Sequence, residues 1–209
     1  MLATTTLTDF LNRTASNEPV PGGGSIAALN GAVASALATM VARLTIGKKK
    51  YEAHEALMQH IEALMLGARE SFMAYIDRDA DAYNALFACY KMPKEREEER
   101  ENRSLAIEEA TKQAAIVPME VARQAAGLME PLFDVVKLGN RNAVTDACVA
   151  VMSARTAVLG ALLNVRINLT GIKDEAFVNT MREEADRLEA DVVRCEQEVL
   201  EAVRQELSV

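Results

Sequence analysis

Asp79 occupies an unusual place for a carboxylate. At about 100° per residue, Phe72, Ile76, Ala80, Tyr83, Phe87 and Tyr90 form one apolar stripe. Asp79 falls within that stripe, between Ile76 and Tyr83 and beneath Leu86, whereas Asp77 and Asp81 project away from it. A buried acid is costly unless it is paired or used, and burial raises its pKa toward the range of a working acid or base. An arginine from another helix would account for Asp79 as an ion pair, and a shifted register would hand its role to Asp77 or Asp81.

A second group gathers amides and one acid: Asn140, Asn142, Thr145 and Asp146, followed by Asn164 and Asn168. On one helix, Asp146, Ser153, Ala157, Gly160, Ala161, Asn164 and Asn168 share a face. Small residues there permit close approach, and the amides offer directed hydrogen bonds to a ligand or to neighbouring helices. Arg155 and Arg166 take the opposite face amid Val151, Leu159 and Leu162, so both sides of this helix are expected to be buried. Arg43 with Lys48, Lys49 and Lys50 forms a cationic group suited to an anionic ligand tail. A solvated lysine turn favourable to a helix dipole explains the same residues. His54 and His60 stand outside any ligand pattern.

Pro21-Gly22-Gly23-Gly24-Ser25 leads into a helix of small residues reaching about Ile46. Three glycines allow φ > 0 and a close approach to a ligand or another chain. Ser25 is placed to cap the helix, whose free N–H groups and positive dipole end then face one spot. A flexible, capped entry loop is the plainer reading. No Gly-Lys-Ser/Thr follows at the spacing of a Walker A loop, and no strand pattern precedes the glycines as a dinucleotide fingerprint requires.

The elements that must position these groups are all helical. Periodicity predicts helices near Leu7–Ala15, Ser25–Ile46, Tyr51–Tyr90, Pro93–Met129, Pro131–Leu138, Val144–Leu169 and Lys173–Leu207. Pro93 suits a first turn, and Pro118 predicts a kink. The charged run Lys94–Arg103 reads as a solvated face. Phe177, Met181, Leu188, Val192, Cys195, Val199, Val203 and Leu207 make a stripe for the core or a partner helix. The expectation is an all-α, single-domain, up-and-down-like bundle of long helices covering residues 1–209. Ala28, Gly31, Ala32, Ser35 and Ala38 supply more small surface than one bundle needs, which predicts a homodimer or an assembly of dimers.

Composition narrows the partners. The chain has 209 residues, half of them apolar, with a formal net charge of −8. That balance argues against nucleic acid. Cys89, Cys148 and Cys195 lack metal spacing and read as reduced thiols of a cytoplasmic protein. No signal peptide is visible, and no uninterrupted apolar stretch reads as long enough to span a membrane.

Three segments carry a family resemblance: Pro21–Tyr51; Asp79-Ala80-Asp81-Ala82-Tyr83 with Met92-Pro93-Lys94; and Gly139-Asn140-Arg141-Asn142 through Asn164-Val165-Arg166-Ile167-Asn168. They resemble the cyclodeaminase/cyclohydrolase family, which includes the C-terminal half of formiminotransferase-cyclodeaminase and free-standing methenyltetrahydrofolate cyclohydrolases. Thr145 stands where the family favours serine, so the hydroxyl is kept. The resemblance implies a dimeric folate one-carbon enzyme acting at 5,10-methenyltetrahydrofolate, with no metal or cofactor beyond the folate substrate. Asp79 matches the proton-transferring acid. Gly22, Gly23, Gly24, Ser25, Arg43, Lys48, Lys49, Asn140, Asn142, Asp146, Asn164 and Asn168 are the expected substrate contacts, the cations meeting a glutamate or polyglutamate tail. The chain has no room for a separate formiminotransferase domain, which favours a free-standing cyclohydrolase over a cyclodeaminase. A non-catalytic helical dimerisation protein is the rival from another class, with a nucleotide-binding module a distant third.

Overall fold

The structure is a computed structural model that describes residues 1–207, with the backbone alone at positions 206 and 207. Seven α-helices follow one another: α1 (Leu7–Thr14), α2 (Gly23–Thr45), α3 (Glu55–Tyr90), α4 (Glu97–Gly127), α5 (Met129–Leu138), α6 (Val144–Leu169) and α7 (Glu175–Leu207). Short 3₁₀ turns occupy Leu2–Thr4, Lys49–His54 and Arg141–Ala143, and no strand occurs among the described residues. The all-α expectation is borne out.

α4 starts at Glu97 rather than Pro93. Glu97, Glu98 and Glu99 fill its first turn, where the positive dipole end favours acids, and Glu99 accepts the Arg96 N–H at 3.1 Å. The helix continues through Pro118.

α2 lies at the centre, packed against α3 on one side and α6 on the other. Its contacts with α3 run Gly24 to Asp79, Gly31 to Phe72 and Arg43 to Glu62, so the two helices are antiparallel. α6 also runs against α2, from Asn140 beside Thr45 to Asn164 beside Gly23. α4 crosses back along α3 through Ser71–Gln124 and Arg78–Glu120. α7 lies along α6 and α4, tied by Arg155–Glu196, Arg166–Asp186 and Arg123–Glu184. The arginines expected inside α6 therefore meet acids of α7. Each such partly exposed pair contributes at most about 1 kcal/mol. The α7 stripe faces inward through Met181, Val192, Val199 and Val203, and the side chain of Leu207 lies outside the described residues.

The small residues of α2 correct the surface expectation. Ala28, Ala38 and Ser35 are fully buried within the chain, and Ala32 nearly so. They let α2 sit close to α3 and α6, and they offer no face to a partner. The exposed apolar residues of α2 are instead Val33, Met40 and Leu44, and those of α6 are Val149, Met152, Leu163 and Ile167. By length and composition α2 and the segment Arg141–Leu169 are long and apolar enough to cross a membrane, contrary to the sequence expectation; 61% of the α2 window is buried inside the bundle.

Candidate functional site

The start of α2 meets the middle of α3 at Gly24 and Asp79. A Cβ on Gly24 would lie 2.0 Å from Asp79 Oδ1, so the carboxylate fills space that only glycine leaves. Ser25 is not the cap. Gly22 holds the N-cap position, the helix begins at Gly23, and Ser25 is fully buried in the first turn. Its hydroxyl oxygen lies 2.9 Å from Asp79 Oδ2 and 3.1 Å from the Ile76 carbonyl oxygen, within donating reach of both. The Ser25 backbone N–H also bonds the carboxylate. Asp79 thus accepts, from α3, one of the free N–H groups that α2 leaves at its positive end, that of Ser25.

The glycine triplet does not use left-handed backbone. Gly22 has φ −114°, and the one positive-φ glycine among the described residues is Gly47 at φ 74°. Its contribution is close approach. A Cβ on Gly22 would meet the Pro19 carbonyl oxygen at 3.1 Å, and one on Gly23 would meet Asn164 Nδ2 at 3.2 Å. Gly22, Gly23, Gly24, Ser25, Asp79 and Asn164 are therefore one cluster.

Burial pushes the Asp79 carboxyl above its ordinary value, and the hydroxyl and backbone N–H of Ser25 pull it part of the way back. Among the described residues no arginine pairs with Asp79: Arg78, the basic residue one position away, pairs with Glu120 at 2.7 Å. Asp77 is not simply solvated, as expected. It accepts the Leu2 N–H, and its other oxygen is buried without a hydrogen-bond partner. Asp81 is exposed.

The aromatic end of the α3 stripe also departs from expectation. Tyr83, Phe87 and Tyr90 are 37%, 47% and 50% exposed, because α3 runs on past the beginning of α2. Tyr83 and Phe87 stack with centroids 6.1 Å apart and planes 13° from parallel. A flat aromatic ledge thus begins one turn beyond Asp79. Helical spacing marks such a stripe but not where its covering helix ends.

The remaining candidates gather elsewhere. Twenty residues of α2 separate Gly23 from Arg43, about 30 Å at the α-helical rise. At that far end Arg43 pairs with Glu62 at 2.6 Å, and exposed Lys48 and Lys49 border Glu52 and Glu55. Tyr51, which the sequence reading passed over, ties this turn to the Asn140 loop. Its hydroxyl accepts the Arg141 N–H at 3.0 Å, and that bond lowers the phenol pKa. Asn142 is exposed, and Asp146 is half-buried on the first turn of α6. Within one chain, the two ends of α2 do not form one site.

Three of the expected substrate amides are occupied by the fold, Asn164 by donating its Nδ2 to the Gly160 carbonyl of its own helix at 2.8 Å. Asn140 is buried; its Nδ2 donates to the Leu44 carbonyl at 2.9 Å and its Oδ1 accepts the Asn142 N–H. It satisfies a carbonyl that α2 leaves open at its C-terminus. Asn168 Nδ2 donates to the Ala114 carbonyl at 2.8 Å and to the Asn164 carbonyl at 2.9 Å. Ala114 is four residues before Pro118, whose missing N–H leaves that carbonyl without its helical partner. Pro118 was the signal in the sequence that could have assigned Asn168.

Bundle and site together define a class: an all-α protein holding one carboxylate of raised pKa against a glycine-led helix terminus. The family model described as formiminotransferase-cyclodeaminase matches residues 6–187, and the chain belongs to that family. It is 36% identical over 208 residues to a methenyltetrahydrofolate cyclohydrolase of Methylorubrum extorquens, covering 100% of both chains. It is 33% identical over 182 residues to a formimidoyltransferase-cyclodeaminase of Sus scrofa, spanning 87% of this chain and 34% of that one. The crystal structure of a formiminotetrahydrofolate cyclodeaminase from Thermotoga maritima superposes with a TM-score of 0.88 at 32% identity, over 99% of this chain and 100% of the other. The family resemblance read from the three sequence segments is borne out.

Proposed function

We propose that this chain is a folate one-carbon enzyme, a methenyltetrahydrofolate cyclohydrolase with Asp79 as its proton relay. The observation that carries this reading is a half-buried carboxylate with no cation beside it and a raised pKa, held in place by Gly24 and Ser25. Water attacks the amidinium carbon between nitrogens 5 and 10 of 5,10-methenyltetrahydrofolate while Asp79 accepts its proton. The bond from that carbon to nitrogen 5 breaks, and Asp79 returns the proton to nitrogen 5. The remaining hydroxyl proton leaves to solvent as the formyl carbonyl forms, giving 10-formyltetrahydrofolate. Such acid–base assistance typically contributes ~10²–10⁴-fold. No cofactor beyond the folate is required.

Full-length similarity to the Methylorubrum extorquens cyclohydrolase favours this reaction. Similarity to the Thermotoga maritima cyclodeaminase, also full-length, supports a second reading. There nitrogen 10 of formiminotetrahydrofolate attacks the formimino carbon, and Asp79 carries the nitrogen proton to departing ammonia. Assaying purified protein with each substrate, by the absorbance of the methenyl form, decides between them. Turnover of neither would overturn both and leave the non-catalytic reading.

We further place the protein in the cytoplasm as a homodimer. Three unpaired cysteines support the compartment, and the net charge of −8 supports a small ligand over nucleic acid. Leu163 and Ile167 of α6, 65% and 66% exposed, with the exposed Val33, Met40 and Leu44 of α2, support burial of these helices against a second copy. A two-fold axis perpendicular to α2 would set the basic end of one α2 toward the Asp79 end of its partner and so reunite the separated candidates. Light scattering at micromolar concentration is expected to give twice the chain mass; a monomer mass overturns the pairing.

If Lys48 and Lys49 receive a glutamate tail, replacing both with alanine weakens binding chiefly for polyglutamylated substrate, and more so at low salt. Equal losses for mono- and polyglutamates would show that these lysines are only solvated.

A further inference from the structure

The Ser25 hydroxyl has one proton and two acceptors. Its Oγ lies 2.9 Å from Asp79 Oδ2 and 3.1 Å from the Ile76 carbonyl oxygen, both ordinary hydrogen-bond lengths. One O–H cannot serve both fully at once. Ser25 is fully buried, so solvent does not take the place of either partner. The Ile76 carbonyl already receives the helical N–H four residues on and does not depend on Ser25.

An ionised carboxylate is a strong acceptor, and its protonated form is a weaker acceptor that can itself donate. We propose that Ser25 is a positioning residue whose hydroxyl turns between Asp79 and the Ile76 carbonyl, holding the carboxyl in place through both halves of the proton relay. With Asp79 ionised, the O–H points at Oδ2. When Asp79 accepts a proton, the O–H turns to the Ile76 carbonyl, and the Ser25 oxygen is then free to accept from the carboxyl. No bond within Ser25 breaks, and the proton count of the pair is that of Asp79 alone. This role rests on the reading of Asp79 as the relay.

The neighbours leave Ser25 in control. On α3, Asp77 accepts the Leu2 N–H, Arg78 pairs with Glu120 of α4, and Asp81 is exposed. The N-terminal turn meets α3 at Asp77. α2 brings Gly24 and Ser25 to the carboxylate, and α6 brings Asn164 to the same turn of α2; none of these titrates.

The test follows the Asp79 carboxyl by ¹³C NMR in protein labelled at aspartate, beside kcat/KM against pH, for wild type, Ser25→Ala and Ser25→Cys. Removing the hydroxyl donor disfavours the ionised form, so the Asp79 midpoint in Ser25→Ala is expected to rise by about one pH unit or more. The acid limb of kcat/KM rises with it. The thiol of Ser25→Cys, a weak donor of similar size, gives an intermediate midpoint and supplies the titration if the alanine variant fails to fold. A midpoint unchanged in whichever variant folds, or a lowered plateau with an unmoved acid limb, overturns the proposal and leaves Ser25 a packing residue. Asp79→Asn separates the two claims. Retained turnover there removes the relay and this role with it, whereas an inactive Asp79→Asn with an unmoved Ser25→Ala titration removes the hydroxyl switch alone.

Discussion

Asp79→Asn is expected to fold as the wild type does and to lose turnover by at least about a hundredfold. The amide is nearly isosteric and keeps an oxygen for the Ser25 N–H and hydroxyl, but it cannot take up a proton at working pH. The stability change distinguishes this from a structural role. Burial raises the folded pKa of Asp79 above its ordinary 3.8, so the folded chain holds a proton that the unfolded chain has released. Its contribution to stability is therefore fully present below the unfolded value and is lost as pH rises through the folded one. Above that folded value the wild type carries a half-buried charge that Asn does not. Asp79→Asn should then melt no lower than wild type above the folded value, and lose that parity in acid. Asp81→Asn is the control, since Asp81 is exposed; Asp77 is not, because it receives the Leu2 N–H. Near-normal turnover in a folded Asp79→Asn protein would eliminate the relay and shift suspicion to Asp146.

Gly31→Leu is expected to lower stability by roughly 3 kcal/mol or more. A Cβ at Gly31 would stand 2.6 Å from two carbons of the Phe72 ring, which is fully buried. Ala at this position would regain up to about 1 kcal/mol of helix propensity against that overlap. Leu adds a whole isobutyl group where the ring leaves no volume, and α2 and α3 must separate to admit it. The sequence alone had suggested that such a change would act on assembly. Because Gly31 faces α3 of its own chain, denaturant unfolding should instead show a loss that does not depend on protein concentration. Unchanged stability with a reduced assembly mass would return Gly31 to an interface.

Much of this protein was legible in one dimension, and particular residues show why. The helices followed from 3.6-residue periodicity, which is a local property, so α2, α3 and α6 were located within a few residues. Asp79 stood out by the same means, as an acid inside an apolar stripe, and its partial burial followed from its neighbours one turn away on the same helix. The family, too, was legible from the glycine-led helix, the Asp79 segment and the Asn140–Asn168 segment.

What the chain could not reveal was which helix lies opposite which residue. Ser25 looked like a cap because local chemistry favours serine there; only the packing of α3 shows that Asp79 bonds the helix terminus and that Ser25 bonds Asp79. Asn140 and Asn168 looked like ligand contacts because an amide has the same donors whichever group it meets. Their partners, the Leu44 and Ala114 carbonyls, lie 96 and 54 residues away along the chain. Tyr83 and Phe87 continue a stripe whose cover stops where α2 begins. The cations of the basic turn share a sequence block with the glycines, yet a straight helix holds the two about 30 Å apart. Periodicity fixes the face of a helix on which a residue lies, because that depends on 100° per residue alone. Tertiary packing decides what that face meets, because the contact partner is set by the whole path of the chain.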